Sequence, residues 1–144
     1  MASFIQTTVD SADALTQADW WAETLGWIVE PTDEAFVRSM IEQGYATDGD
    51  TVTHEGKLVW RGAAAITPAD RIEERDRPRM LFQDVPEKKS GKNRVHWDVR
   101  TGEDIDQVRS RLEARGAAYV ATHSQGPMSW HVMTDPEGNE FCIS

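Results

Sequence analysis

Three short stretches of the chain alternate between apolar and polar positions. In GKNRVHWDVR (91–100), Val95, Trp97 and Val99 interleave with Arg94, His96, Asp98 and Arg100. Ile5, Thr7 and Val9 interleave in the same way with Gln6, Thr8 and Asp10, and Phe141 and Ile143 with Glu140, Cys142 and Ser144. A period of two reads as a strand whose two faces meet different surroundings. Helical spacing follows two of these strands: Leu15, Ala18 and Ala22 step along one face, as do Ile105, Val108 and Leu112. Ser11 or Asp13 would cap the first helix, and Thr101 with Asp104 would open the second. Gly26 and Gly116 stand where a left-handed residue ends a helix.

The two strand–helix pairs are copies of one another. IQTTVDSADALTQADWWAETLG (5–26) lies over VHWDVRTGEDIDQVRSRLEARG (95–116) at a constant offset of 90 residues, without a gap. Ile5 falls on Val95, Val9 on Val99 and Leu15 on Ile105, and Gln17, Glu23 and Gly26 fall on identical residues. The shared register carries more weight than any single match. WIVE and AYVAT supply the next strand of each copy. The second copy closes with PMSWHVM, a DPEG turn that puts Pro136 and Gly138 where a type I turn favours them, and EFCIS. The first copy ends on KLVWRGAAAI (57–66) and RMLFQDV (79–85). It is longer by an insert in which Phe36, Val37, Met40 and Ile41 predict a helix over about 33–43. TDGDTVTHEG (47–56) lacks the glycine and terminal Glu of a calcium loop at their required spacing and reads as a plain loop.

The expected architecture is therefore α+β, a single domain over 1–144 made of two βαβββ modules. Module one covers 1–86, module two 93–144, and residues 86–93 connect them.

Composition narrows the function. Twenty-five acidic against fifteen basic residues leave a net charge of −10, which repels phosphate backbones and argues against nucleic acid as a partner. The densest basic run, RPRMLFQDVPEKKSGKNR, is broken by acids and reads as a solvated linker. No apolar run approaches the roughly 18 residues of a membrane span. The start MASFIQTTVD has no basic segment leading into an apolar one, and Cys142 is the single cysteine, so a cytoplasmic protein without a disulfide is expected. The chain has no G-x-S-x-G elbow, C-x-x-C pair, phosphate loop or dinucleotide fingerprint.

WWAETLGW (20–27), GKNRVHWDVR (91–100) and TDPEGNEFCI (134–143) resemble signature segments of the glyoxalase/bleomycin-resistance proteins, the vicinal oxygen chelate superfamily, in its glyoxalase-like branch. The resemblance covers nearly the whole chain. It implies that the two modules form a curved mixed sheet, the vicinal oxygen chelate or glyoxalase-like fold, a cup whose concave side holds a ligand and, in the metalloenzymes, a divalent ion. Gln6, Thr8, Asp10, His96, Asp98 and Glu140 would then face the cup and bind the ligand. The family's metalloenzymes take one ligand from the first strand and one from the last strand of each unit. His96 and Glu140 match the second unit's pair, which would also be the catalytic pair, and Gln6 matches a third ligand. For the fourth, strand 79–85 offers Arg79, Leu81 and Gln83, or Met80, Phe82 and Asp84, and neither set places a Glu at mid-strand.

Two readings follow. The first is a module that binds a small polar or cationic organic molecule, with no metal or a weakly held one. The alternative is a lyase, isomerase or dioxygenase in which Zn, Mn, Fe or Ni sits on His96, Glu140 and Gln6. Open sheet edges predict a homodimer, with Trp20 or Trp60 as contact surface. His131 reads as a structural histidine, while His54 and His123 read as surface residues.

Overall fold

A computed structural model describes residues 1–144. The chain divides into two compact units, Met1–Pro86 and Glu87–Ser144. The first contains β1 (Thr7–Ser11), α1 (Ala14–Leu25), β2 (Ile28–Val29), α2 (Glu34–Glu42), β3 (Thr51–His54), β4 (Lys57–Trp60), β5 (Ala63–Thr67) and β6 (Met80–Asp84). The second contains β7 (Trp97–Val99), α3 (Ile105–Ala114), β8 (Ala118–Gln125), β9 (Met128–Thr134) and β10 (Glu140–Ile143).

The repeat is visible in the strand order. One four-stranded sheet runs β1-β6-β5-β2 and the other β7-β10-β9-β8, so in each the first strand lies beside the last. In both units that pair is parallel and the remaining pairs are antiparallel. The insert of the first unit supplies α2, near the predicted bounds, and a separate β3–β4 hairpin.

Each helix is fixed at its ends and buried along one stripe. Asp13 caps α1 by accepting from the Thr16 N–H, and Asp84 at the end of β6 accepts from the Ala14 N–H at 2.7 Å. Gly26, at φ 66°, closes α1 in the left-handed conformation. Between these caps Ala14, Ala18 and Trp21 are buried, as are Phe82 and Ile66 on the sheet. In the second unit Asp104 caps α3, and Val108 and Leu112 are buried together with Met133, Phe141 and Ile143. The DPEG turn locks the start of β10. The buried carboxylate of Asp135 accepts from the backbone N–H groups of Glu137 and Asn139 at 2.9 and 3.0 Å, and Gly138 takes φ 90°.

Three local expectations change. Residues 47–56 are not a plain loop: a short 3-10 turn at Asp48–Asp50 leads into β3, which pairs with β4. The hairpin turns at Glu55 and Gly56, both at positive φ (47° and 78°), as its tight turn demands. Glu is an uncommon residue for the first of those positions, which hides the turn in the sequence. The run 57–66 splits into two strands at Arg61–Gly62, where Gly62 has φ 77° and a Cβ would stand 3.3 Å from Asp84 Oδ2. Finally, Ile5 and Val95 are 94% and 76% exposed, because the β1 and β7 ladders begin only at Thr7 and Trp97.

Phe141 and Val95 thus look alike in pattern and differ in burial. Phe141→Ala is expected to cost about 3–5 kcal/mol, as for other buried Phe truncations. Val95→Ala should stay within about 0.5 kcal/mol, as at most surface sites. Urea denaturation of the two variants checks the contrast.

Candidate functional site

The first unit settles which residues of 79–85 share a face with β1. Val9 and Ser11 turn inward, while Thr8 and Asp10 are exposed. Thr8 pairs with Leu81 and Asp10 with Gln83 in the parallel ladder, so Arg79, Leu81 and Gln83 lie on the side of Gln6, Thr8 and Asp10. Gln83 Nε2 donates to Asp10 Oδ1 at 3.2 Å, and Arg79 Nη1 donates to Gln6 Oε1 at 2.7 Å. Phe82 faces the other way and is fully buried.

Arg79 also anchors a second group that sequence reasoning missed. Glu30, directly after β2, takes Arg79 Nε at 2.9 and 3.0 Å and Arg77 Nη2 at 2.9 Å. Partial burial works to raise the Glu30 pKa. Hydrogen bonds and charge from Arg79 and Arg77 outweigh it and hold the carboxyl below its ordinary value. The only sequence signal for this cluster was the spacing of Arg77 and Arg79 at the entry to a strand, and their partner lies 47 and 49 residues away.

Glu30, Arg79 and Leu81 line a cleft of about 740 Å³ within the first unit, and Gln6, Thr8, Asp10 and Arg77 lie outside its lining. Its apolar wall includes Val29, Phe36, Trp60 and Leu81, and its polar groups include Glu30, Arg79, Asp19 and His54. His54 is therefore not a plain surface residue. It ends β3, is half-buried, and its Nε2 lies 2.6 Å from Asp19 Oδ2 on α1. Trp20 is buried within the chain and Trp60 lines the cleft.

In the second unit the expected residues take separate partners. His96 Nε2 lies 3.4 Å from Asp98 Oδ1. Glu140 does not join them: its carboxylate accepts from the Asn93 N–H at 3.0 Å and pairs with Lys89 at 3.4 Å. The Asn93 hydrogen bond is the main reason its pKa falls below the ordinary value. Cys142 is half-buried and sits opposite Asp98 in the β7–β10 ladder. Burial, then the charge of Asp98, push its thiol pKa up. His131 is buried, with Nδ1 2.8 Å from Thr122 Oγ1 and Nε2 2.8 Å from Asp106 Oδ1, a structural arrangement. His123 is exposed and lies against Trp130.

Two βαβββ units with matching strand order define the fold of the glyoxalase/bleomycin-resistance class. The sequence model of the family described as "Glyoxalase-like domain" matches residues 6–144, and the chain belongs to that family. Among solved structures, it is similar to a glyoxalase/bleomycin resistance protein/dioxygenase family enzyme from Burkholderia phytofirmans PsJN, with 14% identity, 96% of this chain and 94% of that one covered, and a TM-score of 0.60. It is also similar to a mutant of the fosfomycin resistance protein FosX from Listeria monocytogenes, complexed with Mn(II) and 1S,2S-dihydroxypropylphosphonic acid. That likeness has 10% identity, covers 99% and 91% of the two chains, and has a TM-score of 0.62. A possible glyoxalase from Bacillus cereus gives 10% identity, coverage of 99% and 98%, and a TM-score of 0.59. No curated protein matches the chain significantly.

The register allows a test of the metal that the family implies. Thr7 is the counterpart of Trp97 in the repeat; Thr7 pairs with Met80 and Trp97 with Phe141, so Arg79 is the counterpart of Glu140. A guanidinium has donors only and cannot ligate a cation. The Gln6 amide oxygen is already taken by that same arginine. A four-donor site of the family type does not fit these residues.

The Arg–Glu cluster predicts an acid-sensitive contribution to stability. Because the Glu30 pKa is depressed on folding, its contribution is present above the unfolded value and is lost as pH falls through the folded one. Glu30→Gln is expected to lower stability at pH 7 by about 1–3 kcal/mol, the range for hydrogen bonds to charged groups. It should also flatten the loss of stability on acidification below about pH 4.5. Denaturation midpoints from pH 7 to pH 3, a range set to span the carboxylate pKa, measure both.

Proposed function

We propose that the chain binds a small polar or cationic organic molecule, and that it does so without a catalytic metal. The observation that carries this reading is Arg79, which stands where the repeat puts the counterpart of Glu140 and is tied to Gln6 and Glu30. The cleft of the first unit offers the chemistry of a ligand site: an apolar wall of Val29, Phe36, Trp60 and Leu81 for affinity, and a few placed polar groups for orientation. Gln6, Thr8 and Asp10 lie along β1 outside that lining, so Glu30, Arg79, Asp19 and His54 are among the polar groups offered to a ligand there. A metal-dependent lyase, isomerase or dioxygenase would instead need an ion on His96, Glu140 and Gln6. The hydrogen bond from Arg79 to Gln6 and the Asn93–Lys89 hold on Glu140 weigh against that use of the residues.

A panel of organic amines and polar metabolite-sized compounds, screened by thermal shift with and without EDTA, tests the reading. A ligand that raises the melting temperature is expected to do so equally in EDTA. Trp60→Ala should weaken it by about 1.4 kcal/mol or more, a factor of ten. Ligands that act only with a divalent ion present would overturn the proposal.

We infer also that the chain forms a homodimer. β8 is the last strand of its sheet, and Val120 and Met128 beside that edge are exposed, a combination that paired edges relieve. Sedimentation at about 10 μM should give twice the monomer mass, since stable dimers persist at such concentrations. A monomer there would remove the inference.

A further inference from the structure

We infer that the cleft of the first unit is an esterase site that works without a metal. His54 is the general base for a water molecule, Asp19 orients it, and Lys57 meets the charge that develops on the carbonyl oxygen. The inference rests on the reading of that cleft as a ligand site and adds a reaction to it. None of the three residues lies on the first or last strand of either unit; they belong to α1 and to the β3–β4 hairpin.

Of the four histidines, His54 alone joins a close carboxylate to a place in the cleft. His131 has both ring nitrogens engaged and is buried. Asp19 Oδ2 lies 2.6 Å from His54 Nε2. An ionised carboxylate only accepts, so it fixes the ring proton on Nε2 and leaves the Nδ1 lone pair to take a proton. The imidazole is 28% exposed, which leaves room for water beside it. Lys57 is the ladder partner of His54, so the two side chains leave the same face of the hairpin, their Cβ atoms about 4.5–5.5 Å apart. Both line the cleft.

The backbone beneath this pair is held on several sides. The tight turn at Glu55 and Gly56 joins His54 directly to Lys57. Arg61 ties the foot of the hairpin, with Nε and Nη2 donating to the Gly49 and Thr51 carbonyls at 2.9 and 3.1 Å. The Leu58 N–H donates to Glu34 Oε1 on α2 at 2.8 Å. A base already oriented by a third group is the arrangement that hydrolytic general-base catalysis needs.

Charge and shape select the substrate. The lining sets four carboxylates, Asp19, Glu30, Asp33 and Glu55, against Lys57 and Arg79. That balance repels phosphate esters and other anions. A neutral or cationic carboxylic ester with an apolar body fits the wall of Val29, Phe36, Trp60 and Leu81. Water attacks the acyl carbon as His54 Nδ1 takes its proton, and the oxyanion that forms faces the Lys57 ammonium. The C–O bond to the alcohol then breaks, and the departing alkoxide recovers the proton from His54. The acid product loses its own proton to solvent, and the carboxylates of the lining then repel it.

Hydrolysis of p-nitrophenyl butyrate by the full chain in EDTA tests the inference. Saturable turnover is expected, with kcat rising with pH as the imidazole gives up its proton. His54→Gln keeps a donor for Asp19 but has no basic nitrogen, and it should lower kcat about a hundredfold or more, as loss of a general base does. Asp19→Asn should lower kcat with KM unchanged, the mark of a positioning residue. Lys57→Met should cost about tenfold in kcat, less than a fully enclosed oxyanion donor. Trp60→Ala should raise KM about tenfold, and His123→Ala should change nothing. Circular dichroism reports whether each variant folds, and Lys57→Met, on an exposed side chain, keeps the test decisive if a variant of the His54–Asp19 pair does not. Turnover in the parent no faster than in His54→Gln would overturn the inference, as would activity present only without EDTA. The anilide counterpart of the ester separates the two readings. If it raises the melting temperature, and Trp60→Ala removes that rise, while the ester is not turned over, the esterase falls and the ligand site stands.

Discussion

The parallel pairing of the first and last strand in each unit is the constraint on which the rest of the structure depends. β1 lies against β6 and β7 against β10, each in a fixed register. Side chains alternate along a strand, so a one-residue slip would move every polar group of that strand to the other face. The register is held by buried residues whose alternatives are costly: Phe82 in the first unit, and Phe141 with Ile143 in the second. Once those are inside, the positions of Arg79, Gln83, Glu140 and Cys142 follow without further choice. The polar chemistry of the protein is in this sense set by its apolar residues.

Much of this was legible in the sequence because it is local or periodic. The alternation of Trp97 and Val99 with Asp98, the helical stripes of α1 and α3, and the offset between the copies all depend on near neighbours, and α2 appears near its expected bounds. What was hidden depends on distance along the chain or on a single residue. The phase of strand 79–85 could not be chosen between two sets of three, since Leu81 and Phe82 are both apolar; only the burial of Phe82 under α1 decides it. Glu30 carried no signal, because its meaning comes from arginines far away in sequence. The β3–β4 hairpin was masked by Glu55 in a left-handed position, and Asp19 with His54 by their separation of 35 residues.

Duplication gives the two units the same places and different occupants. The last-strand position beside the first strand holds Arg79 in one unit and Glu140 in the other, and the first-strand position holds Gln6 and His96. Charge at these places is met by local partners in both. Arg79 is answered by Glu30 and Gln6, while Glu140 is answered by the Asn93 N–H and Lys89. A carboxylate engaged in this way is poorly suited to hold a metal, since ligation would have to displace the donors that already stabilise its charge.

That local pairing separates the polar groups with fixed partners from the apolar side chains left to serve a ligand. Arg77, Arg79 and Glu30 form a compact set: the side chains are mostly buried, and two guanidinium cations share one carboxylate at 2.9–3.1 Å. Such a set gives rigidity and, through Glu30 and Arg79, a defined edge to the cleft, with the carboxylate committed to its two arginines. Phe36 and Trp60 on the cleft wall are in the reverse position, partly exposed and apolar. Removing such surface from water yields roughly 25 cal/mol for each Å², so affinity in the first unit should rest on those side chains, with the Arg–Glu set fixing the shape against which they act.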